Sequence, residues 1–233
     1  MNLTVAEKRN SFVSLPDKNG GKEIFYPESD GKPMGETAFH VDVILTLFQT
    51  LKTFFSGQTD VVVIADMMFY YEEGNPRKVI APDVMVVKGV KNYSRRVFKL
   101  WEEKTPDVVF EISSKKTWRE DLEKKFSLYQ EFGVSEYYIF DPEYNYLKDA
   151  PFIAYHLEDG EFKAVKLKRG RVFSPALNLE IVDTGETLRL FNPETRSFLP
   201  TMEELTSRAE KVESLESEVE KLKAELAKLK RQN

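Results

Sequence analysis

Two acidic residues stand beside short apolar runs, where a lone carboxylate would be costly. Glu111 lies within the run at residues 108–112, and Asp83 precedes the run at residues 84–87. Acidic side chains are seldom buried unless they are paired or bind a metal ion. If the two runs form neighbouring strands, both carboxylates could hold one Mg²⁺, which prefers oxygen ligands and retained waters. The structural alternatives are a buried ion pair at Glu111 and an ordinary Pro-Asp turn at Asp83.

A second group of polar residues follows at helical spacing. Asp121, Lys125 and Tyr129 are four residues apart and would share one face of a helix. From that face Lys125 could point to the metal and orient or activate a water molecule. Ser113 and Ser114 would then lie beside the acid on the strand. The structural alternative is a solvated Asp–Lys pair with the tyrosine at the edge of the core.

These residues need a strand, a helix and a second strand to position them, and the hydrophobic pattern predicts all three. Residues 106–114 read as a short apolar strand, residues 117–133 as an amphipathic helix, and residues 134–142 as another strand. Thr117 can cap the helix and Gly133 can end it. Such a βαβ unit predicts two parallel strands joined by a right-handed crossover.

The rest of the chain divides into a lead-in, a domain and a tail. Residues 1–35 are polar and irregular, residues 36–200 carry the predicted strands and helices, and residues 201–233 repeat every seven positions. The other predicted elements are a mostly buried helix from Thr37 to near Gly57, a hairpin of residues 61–71 and 79–87, a loop or short helix at residues 89–105, a hairpin of residues 152–157 and 162–167, and short strands within residues 171–200.

The tail predicts a coiled coil. Apolar residues occupy the a and d positions, with Arg208 the single exception, and β-branched residues at a with Leu at d favour two strands. In a parallel pair the g and e charges attract, so we expect a parallel homodimer through residues 203–231. The alternative is a single helix folded against its own domain. The core positions are Leu205, Val212, Val219 and Leu226 at a, and Leu215, Leu222 and Leu229 at d; the charge pairs are Lys211–Glu216, Glu218–Lys223 and Glu225–Lys230.

Composition excludes several classes of site. The chain has no Cys, which excludes disulfides, Cys-ligated zinc and thiol catalysis, and only two His, which excludes a His-rich metal site. Its formal charge of −5 disfavours a bulk nucleic-acid binder but leaves room for a local basic groove. Neither a signal peptide nor an apolar run of membrane-spanning length is present, so we expect a cytoplasmic protein without a membrane partner.

Taken together, the motifs resemble the Uma-two family, formerly a domain of unknown function. That family is a branch of the PD-(D/E)XK, restriction-endonuclease-like superfamily. The resemblance covers about residues 27–200, and the segment at residues 28–40 is similar to one bacterial subgroup. The residues that carry it are Pro82, Asp83, Glu111, Ser114, Thr117, Asp121, Lys125, Tyr129, Gly133, Glu136, Tyr137, Tyr138, Asp141 and Pro142.

The resemblance implies an α/β (α+β) fold, with a mixed β-sheet core flanked by helices. It implies that Asp83 and Glu111 ligate Mg²⁺ (or Mn²⁺). The superfamily pattern places a lysine two residues after the Glu, where this chain has Ser113. Members of this branch move that lysine to the following helix, which matches Lys125. Lys115 is a competitor, because it would share a strand face with Glu111 if the strand continued.

The same resemblance assigns further roles near the site. Glu36 is similar to an accessory catalytic acid, and His40 could contact phosphate or water, although a satisfied histidine at a helix start is the plainer reading. The expected substrate-binding residues are His40, Ser113, Ser114, Lys115, Thr117 and Asp121, and Lys115, Lys116 and Arg119 would hold the nucleic-acid backbone.

The function expected from these roles is Mg-dependent endonuclease cleavage of phosphodiester bonds, in DNA, with weak and salt-sensitive binding. The main alternative is a catalytically inactive, nuclease-like binding or scaffold module that dimerises through its coiled coil. An enzyme acting on a small phosphorylated ligand is disfavoured, because no Gly-rich phosphate loop is present.

Overall fold

A six-stranded mixed sheet forms the centre of the computed structural model, which describes residues 24–29, 37–147 and 150–232. The strand order is β1-β4-β6-β7-β8-β9, and β6 with β7 is its one parallel pair. The predicted βαβ unit is therefore confirmed. The strands are β1 Val61–Ala65, β4 Val84–Lys88, β6 Val108–Ile112, β7 Glu136–Phe140, β8 Phe152–Glu158 and β9 Glu161–Ala164.

The predicted hairpin of residues 61–71 and 79–87 pairs as expected but is not continuous. Its outer halves, β1 and β4, pair in the central sheet. Its inner halves, β2 (Phe69–Tyr70) and β3 (Val79–Ile80), form a separate three-stranded sheet with β5 (Phe98–Lys99). The chain bends at Asp66, which has a φ of 46° and donates its N–H to the carbonyls of Pro82 and Asp83. These hydrogen bonds lie directly before β4, where Asp83 enters the central sheet.

The central sheet is covered on both faces. One face packs against helix α1 (Ala38–Phe54) and a four-stranded antiparallel sheet, β10 to β13, and the other packs against the crossover helix. This double cover explains why β4 and β6 read as almost continuous apolar runs instead of alternating ones. The four strands are β10 Arg171–Ser174, β11 Leu179–Asp183, β12 Leu188–Asn192 and β13 Ser197–Phe198.

Helix α1 begins where the sequence predicts, and the Thr37 hydroxyl accepts from the His40 N–H. Its burial is less complete than predicted. Phe39, Val41 and Leu45 are between 42% and 67% exposed, because only one side of the helix lies against the sheet.

The crossover helix differs from a plain α-helix. It consists of α2 (Trp118–Glu120), a π-turn (Asp121–Lys125) and α3 (Phe126–Phe132). Gly133 ends it in the left-handed conformation (φ 78°), as predicted. Thr117 is the N-cap residue of α2, as predicted, but its side chain makes no capping hydrogen bond.

The C-terminal helix α4 (Met202–Gln232) projects its apolar positions into solvent. Val212, Leu215, Val219 and Leu222 are between 48% and 58% exposed, so the alternative of a helix folded against its own domain is not observed. Glu225, Leu226, Leu229 and Lys230 of the predicted coil have side chains outside the described residues. In the part of the chain that the structure covers, no helix is long and apolar enough to cross a membrane.

Candidate active site

The strand register brings the two predicted carboxylates together. Val84 pairs with Phe110 and Met85 with Val109 across the antiparallel β4–β6 pair, so Asp83 stands opposite Glu111 at the next position. The Asp83 N–H lies 3.4 Å from Glu111 Oε2, and Asp83 Oδ2 accepts the Ile112 N–H at 2.6 Å. Like charges directly opposite each other are destabilising. The chain therefore maintains an arrangement that costs free energy unless a cation compensates it.

Lys125 supplies one compensating charge from the π-turn. Its Nζ lies 2.7 Å from Glu111 Oε2 and 3.2 Å from Asp121 Oδ1. The Lys125 side chain is 10% exposed, and those of Glu111 and Asp121 are at most 1% exposed. The predicted solvated Asp–Lys pair is therefore not observed, since both partners are buried.

The charge of this cluster does not balance. Asp83, Glu111 and Asp121 bring three carboxylates to a single lysine. Burial raises the pKa of Asp83, which Lys125 and His40 offset only in part, and burial raises the pKa of Glu111 well above its usual range. For Lys125, burial alone would lower the pKa, but the three carboxylates outweigh it and raise the pKa.

A divalent cation fits this excess of negative charge and this set of oxygen donors. Asp83 is the accessible member, since its side chain is 19% exposed, and its Oδ1 faces His40 Nε2 at 4.0 Å. Within the described ranges, no cluster of three or more His, Cys, Asp or Glu side chains is arranged to hold a metal. Two carboxylates with retained waters are thus the arrangement to test, as Mg²⁺ usually keeps several waters.

Ser113 and Asp121 lie beneath the surface. The Ser113 hydroxyl donates to Asp121 Oδ2 at 2.8 Å, Ser113 is 1% exposed and Asp121 is 0% exposed. Asp121 also pairs with Lys125, so both residues lie beneath that lysine, and their predicted substrate contact stays a prediction. Buried His40 lies beside Asp83, as expected for a residue next to the site.

The predicted residues that follow β6 are placed differently from one another. Ser114 is buried, and its N–H donates to the Thr117 hydroxyl at 3.0 Å, so this pair shapes the turn into the helix. The strand ends at Ile112, so its alternation does not reach Lys115, which is exposed, and Lys125 contacts Glu111 instead. Glu36 lies outside the described residues.

The π-turn is the feature that sequence reasoning missed. A step of four residues rotates by slightly more than one full turn in an α-helix, which has 3.6 residues per turn. The same step rotates by less than one full turn in a π-turn, which is wider because its hydrogen bonds run from i to i+5. The excess rotation and the missing rotation cancel, so Asp121, Lys125 and Tyr129 stay on the same side of the helix. They are the buried residues of the π-turn and α3. The spacing alone does not reveal the π-turn, because residues at i, i+4 and i+8 also share one broad face of a continuous α-helix.

Comparison with known proteins gives one family match. The Uma2 family model, described as "putative restriction endonuclease", matches residues 11–184, about three quarters of the chain. Among curated proteins there is no match. One similar solved structure is titled as a "putative nuclease belonging to DUF820" from Anabaena variabilis. It is 15% identical, has a TM-score of 0.46, and the alignment covers 63% of this chain and 76% of that chain.

Proposed function

The chain belongs to the Uma2 family of restriction-endonuclease type, and we propose that it is a Mg-dependent endonuclease that hydrolyses phosphodiester bonds in DNA. The observation that carries the proposal is the apposition of Asp83 and Glu111 with the Lys125 ammonium 2.7 Å from Glu111. A buried charge that no opposite charge compensates is costly. This cluster keeps three acids for one lysine and leaves the Asp83 side chain 19% exposed, which suits a site that receives a cation.

Each residue has a distinct part in the proposed reaction. Asp83 and Glu111 would hold the divalent ion, Mg²⁺ or Mn²⁺. When bound, such an ion polarises a phosphodiester and lowers the pKa of a water nucleophile. Lys125 stabilises negative charge that develops on the nucleophile or on the phosphorus oxygens. Asp121 helps Glu111 to hold the lysine in place, because Lys125 Nζ lies 2.7 Å from Glu111 Oε2 and 3.2 Å from Asp121 Oδ1.

Backbone contacts to DNA would come from the exposed basic residues at the start of the crossover helix. Lys115, Lys116 and Arg119 are all exposed and lie just after the strand that ends beside the site. Their small number implies weak binding that falls as salt increases. Glu36 remains a proposed accessory acid and His40 a proposed contact to phosphate or water.

The direct test is cleavage of plasmid and oligonucleotide DNA with Mg²⁺ or Mn²⁺. We expect wild type to cut and Glu111→Gln to lose at least about a thousandfold in rate, since metal catalysis contributes several kcal/mol. Glu123→Gln is the matched control, because Glu123 is on the same helix but exposed, and it should cut like wild type. Equal cutting by all three proteins would identify a contaminating nuclease and would falsify the assignment.

An inactive binding module is the second candidate, and one observation favours it. Both oxygens of Glu111 already have protein donors, Tyr129 at 2.6 Å and Lys125 at 2.7 Å, so this carboxylate is satisfied without a metal. In that case Mn²⁺ would leave the melting temperature unchanged, whereas an ion that binds the folded state must raise it. DNA retention in a gel without cutting would support the binding module.

We further propose that the chain forms a parallel homodimer through α4. Its described apolar positions form a stripe on a helix that is otherwise polar, and most helical stability in proteins comes from the packing of such an amphipathic face. The first turn is anchored to the domain, since Thr201 and Glu204 form a reciprocal capping box and Glu204 pairs with Arg189 at 3.0 Å. A dimer would place two sites in one particle.

Truncation after Glu210 is expected to give a monomer in light scattering, because it removes the apolar stripe and spares the anchored turn. Leu215→Lys should have the same effect, whereas Glu213→Lys, on the outer face of the predicted coil, should leave the dimer intact. The chain has no Cys, so Leu222→Cys can report orientation: a parallel pair forms the disulfide across the seam. A dimer that survives truncation would contradict the proposal.

A further inference from the structure

Two buried tyrosine hydroxyls donate hydrogen bonds to residues of the candidate site, and the proposed chemistry uses neither of them. Tyr129 donates to Glu111 Oε1 at 2.6 Å, and Tyr137 donates to the backbone carbonyl of Asp121 at 2.9 Å. Resting on the proposed function, we propose that both are positioning residues. Tyr129 fixes the carboxylate that holds the ion, and Tyr137 fixes the π-turn that carries Asp121 and Lys125.

The role of Tyr129 follows from the geometry around Glu111. Tyr129 contacts one carboxylate oxygen while Lys125 and the Asp83 N–H contact the other, so the plane of the carboxylate is fixed. Glu111 is fully buried, and no solvent molecule can replace a lost donor without entering the core. Hydrogen bonds that orient a carboxylate ligand typically change metal affinity by about 10- to 100-fold.

The role of Tyr137 follows from the break in the helix. A π-turn interrupts the i to i+4 pattern, and backbone carbonyls at the break need other donors. The Tyr137 hydroxyl supplies one at Asp121, the first residue of the turn. Tyr137 lies on β7, which pairs in parallel with β6, the strand that carries Glu111. The hydrogen bond from Tyr137 therefore fixes the position of the π-turn relative to Glu111. A phenylalanine would fill the ring position but could not supply this donor.

The two rings form one unit. They meet edge-to-face with their centres 5.1 Å apart, and both are 0% exposed. A hydroxyl buried without a partner costs free energy, so a core that needed only aromatic volume would be better served by phenylalanine. Tyr155 provides the contrast. Its ring packs beside Tyr137, and its hydroxyl makes no hydrogen bond to the described residues.

The experiment compares Tyr129→Phe, Tyr137→Phe and the control Tyr155→Phe. Each change removes one oxygen and keeps the ring. Calorimetric titration with Mn²⁺ should show the dissociation constant rising 10- to 100-fold for Tyr129→Phe and within about threefold of wild type for Tyr137→Phe. Cleavage at saturating Mn²⁺ should show kcat falling at least about tenfold for Tyr137→Phe. Tyr155→Phe should match wild type in both. A merely structural role would not separate the two variants in this way.

Wild-type Mn²⁺ affinity in Tyr129→Phe, or full kcat in Tyr137→Phe, would overturn the inference. If wild type itself neither binds Mn²⁺ nor cuts, the proposed function fails. A measurement without metal then tests whether Tyr137 positions the π-turn. Amide hydrogen exchange at residues 121–126 should then accelerate in Tyr137→Phe and not in Tyr155→Phe. Unchanged exchange in Tyr137→Phe would count against the role independently of any metal.

Discussion

Asp83→Asn is expected to abolish cleavage and at the same time to raise the melting temperature of the metal-free protein. The asparagine oxygen can still accept the Ile112 N–H, so the local hydrogen bond is retained. Lys125 pairs with Glu111 and Asp121 and also attracts the Asp83 carboxylate, so the change removes one of three acids near a single lysine and relieves uncompensated charge. The rate should fall at least about a thousandfold, because the ion loses a charged ligand. Melting curves by circular dichroism and a plasmid assay measure the two effects.

Asp42→Asn is the matched control for the expected rise in melting temperature and loss of cleavage. Asp42 lies on α1 two residues after His40 and is exposed, so the same chemical change should alter neither property. A clear fall in stability on Asp83→Asn would show that the carboxylate is a structural member of a balanced ion pair. That result would remove the main physical argument for a cation at the site.

Lys125→Met is expected to cause the largest loss of stability of any single change in the cluster. Removing one partner of a buried ion pair typically costs about 3–5 kcal/mol, because the other charge stays buried without compensation. For a chain of this size, each kcal/mol corresponds to roughly 2–4 °C in melting temperature. The neighbouring Lys124→Met is the control: Lys124 pairs with Glu120 on the surface, and exposed pairs contribute less than about 1 kcal/mol.

The double variant Lys125→Met with Glu111→Gln separates charge from packing. If the loss comes from an uncompensated carboxylate, neutralising Glu111 should restore most of the stability, and urea unfolding of the four proteins gives the coupling free energy. If the double variant is as unstable as Lys125→Met, the lysine stem matters through packing, and the electrostatic account of the cluster is wrong.

Local sequence patterns predicted most of the elements, because hydrophobic period and turn chemistry act over a few residues. The strand, helix and strand around Glu111, the Thr37 cap, the Gly133 stop and the hairpin of β8 and β9 all follow from such patterns. The type of residue also indicated the site, since a carboxylate inside an apolar strand needs a partner. Helical spacing and a family resemblance together indicate Lys125.

The tertiary structure decided what depends on contacts between distant segments. The split of the β1–β4 hairpin at Asp66 and the register that places Asp83 opposite Glu111 depend on how strands pair, which no local pattern encodes. The burial of Ser113 and Asp121 depends on what covers them, which no local pattern encodes either. The sequence determined which residues could form a site, because their chemistry and spacing are local. Their distances were decided by the π-turn and the strand register, because both depend on contacts between segments that are distant in the sequence.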